Sequence, residues 1–136
     1  KLFQIDIDRT SQSPYIIFNG QKSHSDEIVL KAQEFIEKNS MDKLSVEKLA
    51  KKLAVSRRSF DRRFVKATGN TPIEYMQRVK METAKKLLEI SRKNIQEIMH
   101  EAGYNDVKAF RDVFRKVTGL TPMDYRRKYN KETAVL

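Results

Sequence analysis

Arg58 and Arg62 stand four residues apart, and fifty positions further on Lys108 and Asp112 repeat that spacing, with Arg111 and Arg115 beside them. Side chains at i and i+4 share one face of a helix. An arginine on such a face carries a planar fork of N–H donors that matches a flat acceptor: a carboxylate, a phosphate, or the O6/N7 edge of guanine. An aspartate among them, such as Asp61 or Asp112, only accepts. It can take the N4 amino group of cytosine, or pair with an arginine of its own helix.

Nucleophilic and metal chemistry has little to work with by contrast. Cysteine is absent, His24 and His100 are the only histidines, and there is no Gly-rich phosphate loop. His24 falls near a helix start and His100 on a short amphipathic helix, places where histidines serve as surface or capping groups. The carboxylates spread over solvated helical faces without a convergent pair. No catalytic residue, metal ligand or cofactor is expected, and the chain does not read as an enzyme.

The elements that position these side chains are written twice. Residues 60–80 read FDRRFVKATGNTPIEYMQRVK and residues 110–130 read FRDVFRKVTGLTPMDYRRKYN. Phe60/Phe110, Phe64/Phe114, Lys66/Lys116, Thr68/Thr118, Gly69/Gly119, Thr71/Thr121, Pro72/Pro122 and Tyr75/Tyr125 are identical. An internal repeat reveals one structural unit used twice. Upstream of each copy lies a short amphipathic stretch and a tight turn: Ala54-Val55-Ser56 in the first, Gly103-Tyr104-Asn105-Asp106 in the second. That order, short helix, turn, charged helix, is the helix-turn-helix, whose second helix enters the DNA major groove.

Helical geometry sorts the charged helix into two sides. At about 100° per residue, Phe60, Phe64 and Ala67 share the core side, while Arg58 and Arg62 lie opposite with Asp61 and Val65 beside them. In the second copy Phe110, Phe114 and Val117 are inward, and Lys108, Asp112, Arg111 and Arg115 outward. Inward positions repeat and outward positions change, as two readers of different base sequences require. A charged outward face on one helix is ordinarily just solvated. The repetition and the charge distribution favour a reading face. The phenylalanines, spaced by four, suit a buried seam and not base stacking.

The chain has 136 residues and a net charge of +10. Residues 1–40 hold five basic and six acidic side chains, and residues 41–136 hold 23 and 12. The excess positive charge therefore belongs to the repeated part, where it attracts polyanions, nucleic acid before membrane. No apolar run approaches the roughly 18 residues of a spanning helix. An RNA-binding module would show exposed aromatics or its own signature, and neither is present. A protein-interaction module, with residues 24–40 and the exposed side of the first copy as its candidate surface, is compatible with DNA binding.

Four Gly and three Pro leave room for long helices. Seven are expected in an all-α fold. Ser25 is expected to cap the first, Ser45 the second, and Ser56 a third that ends at Gly69. Thr71-Pro72 opens a long fourth helix. Then come a helix near 95–102, one near 107–117 ending at Gly119, and a last one opened by Thr121-Pro122. Residues 1–7 alternate like a strand, residues 9–23 read as a linker with an apolar patch at Tyr15–Phe18, and the tail after Lys131 is expected to fray.

From about residue 24 to 131 the chain resembles the DNA-binding domain of AraC/XylS-type bacterial transcription regulators, most specifically in AGYNDVKAFRDVFRKVTGLTPMDYRR with Gly103, Phe110, Phe114, Gly119, Pro122 and Tyr125. The resemblance implies two helix-turn-helix subdomains, at about 45–69 and 94–119, joined by a long linker helix at about 72–90, with a last helix at about 121–131. It implies base contacts from Arg58, Asp61 and Arg62 on the first recognition helix and from Val107, Lys108, Arg111 and Asp112 on the second. Asp61 and Asp112 depart from a surface meant to face phosphate. Asp112 stands where many relatives carry Arg, which leaves it the alternative of orienting a nearby arginine. Helix N-termini at Ser45, Thr71 and Thr121 favour phosphates, and Lys43, Arg57, Arg78, Arg115, Arg126 and Arg127 are the candidate charges around them. Nineteen residues of linker helix span about 28 Å, close to the roughly 34 Å between successive major grooves.

The implied partner is double-stranded DNA, with RNA polymerase as a second, in the bacterial cytoplasm and at the nucleoid when bound. Residues 23–136 are read as the DNA-binding domain. Residues 1–22 are read as the tail of a preceding domain, similar to an amidotransferase-like sensor, with the present stretch monomeric and any dimerisation supplied by that domain.

Overall fold

The computed structural model describes residues 22–39 and 44–130. The strand, linker and Tyr15–Phe18 expectations, and the fraying tail, lie outside the described residues. Within them there are seven helices: α1 Glu27–Lys38, α2 Val46–Lys52, α3 Arg57–Thr68, α4 Pro72–Ile90, α5 Ile95–Glu101, α6 Val107–Thr118 and α7 Pro122–Tyr129. They form two compact units that divide between Val79 and Lys80, inside α4.

Most helix ends follow from local chemistry. Ser45, Ser56 and Thr121 each accept the backbone N–H three residues on, which satisfies one of the donors a helix start leaves open. Thr71 and Glu74 cap each other's N–H groups at 3.1 and 2.8 Å, and Asn94 with Glu97 repeats this reciprocal box. Gly69 and Gly119 close α3 and α6 at φ 81° and 82°. At both, an added Cβ would meet nothing within 4 Å, so glycine serves the left-handed backbone and not a steric limit. The start of α1 differs from expectation. Asp26, not Ser25, is its N-cap. The Asp26 carboxylate accepts from the N–H groups of Ile28 and Val29 and also receives both donors of the Arg63 fork at 3.0 Å, a partner no serine hydroxyl could engage in this way.

In the first unit α1, α2, α3 and the start of α4 enclose Val29, Ala32, Ile36, Leu49, Phe60, Phe64, Tyr75 and Val79, all buried. Phe60, Phe64 and Tyr75 meet edge to face at 5.7 and 5.5 Å, the favoured arrangement for ring quadrupoles. In the second unit the end of α4 with α5, α6 and α7 encloses Met81, Ala84, Leu88, Ile98, Met99, Phe110, Phe114 and Tyr125. There Phe114 and Tyr125 meet at 5.4 Å and 85°.

These lists expose a longer repeat than the one in residues 60–80 and 110–130. Val29, Ala32, Ile36 and Glu37 of α1 correspond, 52 positions on, to Met81, Ala84, Leu88 and Glu89 of α4. The end of α4 is thus the first helix of the second unit, while its start closes the first.

Candidate nucleic-acid interface

α3 and α6 each follow a turn of the same build. In the first unit the N–H of Ala54 bonds Lys51 O and that of Val55 bonds Ala50 O, both at 3.0 Å. In the second, Gly103 bonds His100 O at 2.9 Å and Tyr104 bonds Met99 O at 3.0 Å. Ala54 and Gly103 are both left-handed, at φ 60° and 88°. Val55 and Tyr104 then pack into their units' cores, and Ser56 and Asp106 cap the helices that follow. A reversal held by two hydrogen bonds and an inserted apolar side chain fixes where α3 leaves α2, and α6 leaves α5.

The outward side of α3 carries Arg58, Asp61 and Arg62, as helical geometry anticipated. Arg58 and Arg62 are exposed and have no hydrogen bond or ion pair among the described residues. Asp61 differs. Both its oxygens accept from Arg57 Nε at 3.1 Å, and Arg57 Nη1 also binds Glu47 at 2.7 Å. Asp61 is therefore an occupied acceptor in the free protein, and Arg57 a brace between α2 and α3. On α6, Val107 is 36% exposed, and Lys108, Arg111, Asp112 and Arg115 are exposed. Arg111 and Arg115 have no partner among the described residues. Asp112 is paired with Lys108 at 2.8 Å and not with an arginine, and this bond raises the Lys108 pKa. The remaining described arginines are engaged. Arg63 holds Asp26, Arg126 reaches Ser91 O at 3.1 Å, Arg127 pairs with Asp124, and Arg78 and Arg92 have interactions of their own.

The phosphate candidates divide the same way. Lys43 lies outside the described residues. Ser45, Thr71 and Thr121 spend their hydroxyls on capping, and each opens a helix with an acid in its first turn: Glu47, Glu74 and Asp124. Those carboxylates already sit at the positive end of the helix dipole. Among the described helices only α3 and α6 begin without an acid in the first turn. Arg126 is half-buried beside Asn130, whose Nδ2 bonds the carbonyls of Leu88 and Ser91 at 2.9 and 3.2 Å, so both secure the end of α4. Arg78 is half-buried. Arg115 is the phosphate candidate whose fork is exposed and unspent.

Sequence reading missed the free-versus-braced distinction among the arginines, because the deciding partners, Glu47 and Asp26, lie 10 and 37 residues away from Arg57 and Arg63. Among the described residues no group of His, Cys, Asp and Glu could hold a metal ion, and no helix is long and apolar enough to cross a membrane.

Comparison with known proteins agrees with this geometry. Residues 49–128 match the family model of a helix-turn-helix domain. The chain is 35% identical over 71 residues to the HTH-type transcriptional regulator AlkR of Acinetobacter baylyi, a stretch that is 52% of this chain and 23% of AlkR. The chain thus spans well under a third of that curated relative. Its fold is similar to the C-terminal domain of AraT, a response regulator from Geobacillus stearothermophilus. The TM-score is 0.74 and the identity 30%, covering 77% of this chain and 88% of that one. It is also similar to the DNA-binding domain of AdpA, a global transcriptional factor solved in complex with a target DNA. There the TM-score is 0.71 and the identity 30%, over 76% of this chain and 94% of that one.

Proposed function

This chain belongs to the AraC-type helix-turn-helix domain family, and from that premise we propose that it regulates transcription by reading an asymmetric duplex site, α3 and α6 entering successive major grooves. The observation that carries this reading is the placement of the unspent arginines. Arg58, Arg62, Arg111 and Arg115 are exposed, on the outward sides of the two second helices, and without partners among the described residues, while each other described arginine is tied within the fold. Binding DNA then breaks no bond of theirs, and their forks meet base edges and phosphates directly. AdpA, whose domain shares this fold, was solved on its target DNA.

The domain reading belongs to the same proposal, with residues 23–136 as the DNA-binding part and residues 1–22 as a connecting segment. So do contact with RNA polymerase and a cytoplasmic place of action. The test is fluorescence anisotropy on duplexes enriched from a random pool. The enriched duplex is expected to bind more tightly than random duplex and than its own single strand, with a steep fall as salt rises. Arg58→Ala and Arg111→Ala are each expected to relax choice at a different base pair. Equal affinity for enriched and random duplex, or a preference for single strands, overturns the reading.

A further inference from the structure

We propose that Val65 is a base-reading residue of α3 and takes the C5 methyl of a thymine in the half-site that helix meets, an inference that rests on the DNA-reading role of α3 given above. Val65 is 44% exposed in a helix whose other large apolar residues, Phe60 and Phe64, are fully buried. It belongs to neither core. At about 100° per residue it returns to within about 20° of Arg58 and lies about 60° from Arg62. An apolar side chain thus stands in line with the two free guanidinium groups.

The fold does not ask for valine there. The equivalent residue of α6 is Arg115, also exposed, so the position tolerates a long charged side chain in the same scaffold. A β-branched residue gives up helix propensity, and in water this one still leaves 44% of its surface exposed and joins neither core. In the major groove the balance changes, because thymine alone among the four bases offers a methyl group there, and apolar side chains recognise it.

Spacing places the thymine. From Arg62 to Val65 the helix rises about 4.5 Å, and one base-pair step is about 3.4 Å. The thymine therefore lies one or two base pairs from the position that Arg62 contacts, on the side away from Arg58. Burying one methyl group is worth about fourfold in affinity.

The experiment uses the wild-type enriched duplex with each thymine replaced in turn by deoxyuridine, which removes the methyl and keeps the pairing. The base pair read by Arg62 is located with Arg62→Ala. For wild type, one replacement within two base pairs of that position is expected to weaken binding about fourfold. Val65→Ala is expected to bind the thymine duplex as wild type binds the deoxyuridine duplex, and to be indifferent to the replacement. Circular dichroism verifies that the variant stays folded. If Val65→Ala weakens binding equally with thymine and deoxyuridine, or if no thymine is selected near the Arg62 position, the thymine contact is wrong while the DNA reading stands. If wild type does not distinguish enriched from random duplex, the DNA reading fails first and takes this inference with it.

Discussion

Tyr125 donates its hydroxyl to the carboxylate of Glu89, one residue before the end of α4. In the first unit Tyr75 donates to Glu37 at 2.6 Å, again one residue before the end of a helix, here α1. Each unit is thus closed the same way: the helix after the reading helix is pinned by a buried phenol to the helix that begins the unit. The clasp holds the frame around Phe60–Phe64 and Phe110–Phe114, on helices whose outward sides carry Arg58 and Arg62, and Arg111 and Arg115.

These phenols make a prediction about alkaline stability. Burial raises the pKa of Tyr75 and of Tyr125 well above the ordinary 10.0, with the carboxylates of Glu37 and Glu89 adding to it, and burial pushes Tyr104 up to about 12. A raised folded pKa means stability that is whole below pH 10.0 and is lost as pH rises toward the folded value, because the unfolded chain releases the proton first. Lys80, whose pKa burial lowers, works in the opposite sense, one group against three. Urea unfolding between pH 9 and 12 should show stability falling above pH 10, and Tyr75→Phe or Tyr125→Phe should flatten that fall. At pH 7 each variant should lose about 1.5–3 kcal/mol, the worth of a hydrogen bond to a charged partner. An unchanged alkaline slope in both variants would show that the phenols do not titrate with unfolding.

At the acid end the responsible group is Asp26. Its carboxyl is held below the ordinary 3.8, chiefly by its hydrogen bond to Arg63, against a smaller opposing effect of burial. A depressed folded pKa gives stability that is present above 3.8 and is lost as pH falls through the lower, folded value. Asp26→Asn keeps a competent N-cap and removes the charge. Its unfolding free energy should therefore vary less than that of wild type between pH 5 and pH 2, while Asp26→Ala should lose about a further 1 kcal/mol at every pH from the missing cap. Identical acid limbs for wild type and Asp26→Asn would remove Asp26 from the acid transition.

How much of this could be read beforehand depended on how local the cause was. The caps at Ser45, Ser56, Thr71 and Thr121 and the glycines at 69 and 119 were legible, because a cap is chemistry within four residues. The choice of Asp26 over Ser25 was not, because Arg63 lies 37 residues away. The outward position of Arg58, Asp61, Arg62, Lys108, Arg111 and Asp112 followed from helical period. Pairing of Asp61 with an arginine of its own helix was among the readings, but that it takes Arg57, and that Asp112 takes Lys108 and not an arginine, did not follow, because helical period offers an aspartate several partners within one turn without choosing among them. The correspondence of Glu37 with Glu89 was also present in the sequence. It escaped notice because the spacing between copies changes from 52 to 49, the connection of residues 39–45 before α2 being longer than that of residues 91–94 before α5. A repeat sought at one fixed period loses register where one copy is longer by three residues.

Ala54 and Gly103 hold equivalent left-handed positions, and only one is glycine. An alanine in that region carries a penalty of about 1–2 kcal/mol, partly offset because glycine costs about 0.5–1 kcal/mol more to order. Ala54→Gly is therefore expected to stabilise the protein by up to about 1 kcal/mol and Gly103→Ala to destabilise it by a similar amount. Chemical denaturation of both variants measures the pair. A destabilised Ala54→Gly would mean that the alanine methyl has a packing role that outweighs its backbone strain.

The division between free and tied arginines predicts that binding and stability respond to different substitutions. Arg58→Ala and Arg62→Ala remove exposed side chains with no partner among the described residues, so thermal unfolding should hardly move, as for surface changes within about 0.5 kcal/mol. Each should cost about 1–3 kcal/mol of discrimination at one base pair. Arg115→Ala should weaken binding to all duplexes alike and reduce the salt dependence by about one phosphate contact. Arg63→Ala should do the reverse. It strips Asp26 of its guanidinium partner, lowers the melting temperature and removes the acid-sensitive stability described above, with base preference unchanged in a folded sample. Thermal melts alongside selection from random duplexes separate the two groups. If Arg63→Ala shifts base preference while Arg58→Ala shifts only the melting temperature, the outward side of α3 has been assigned to the wrong arginines.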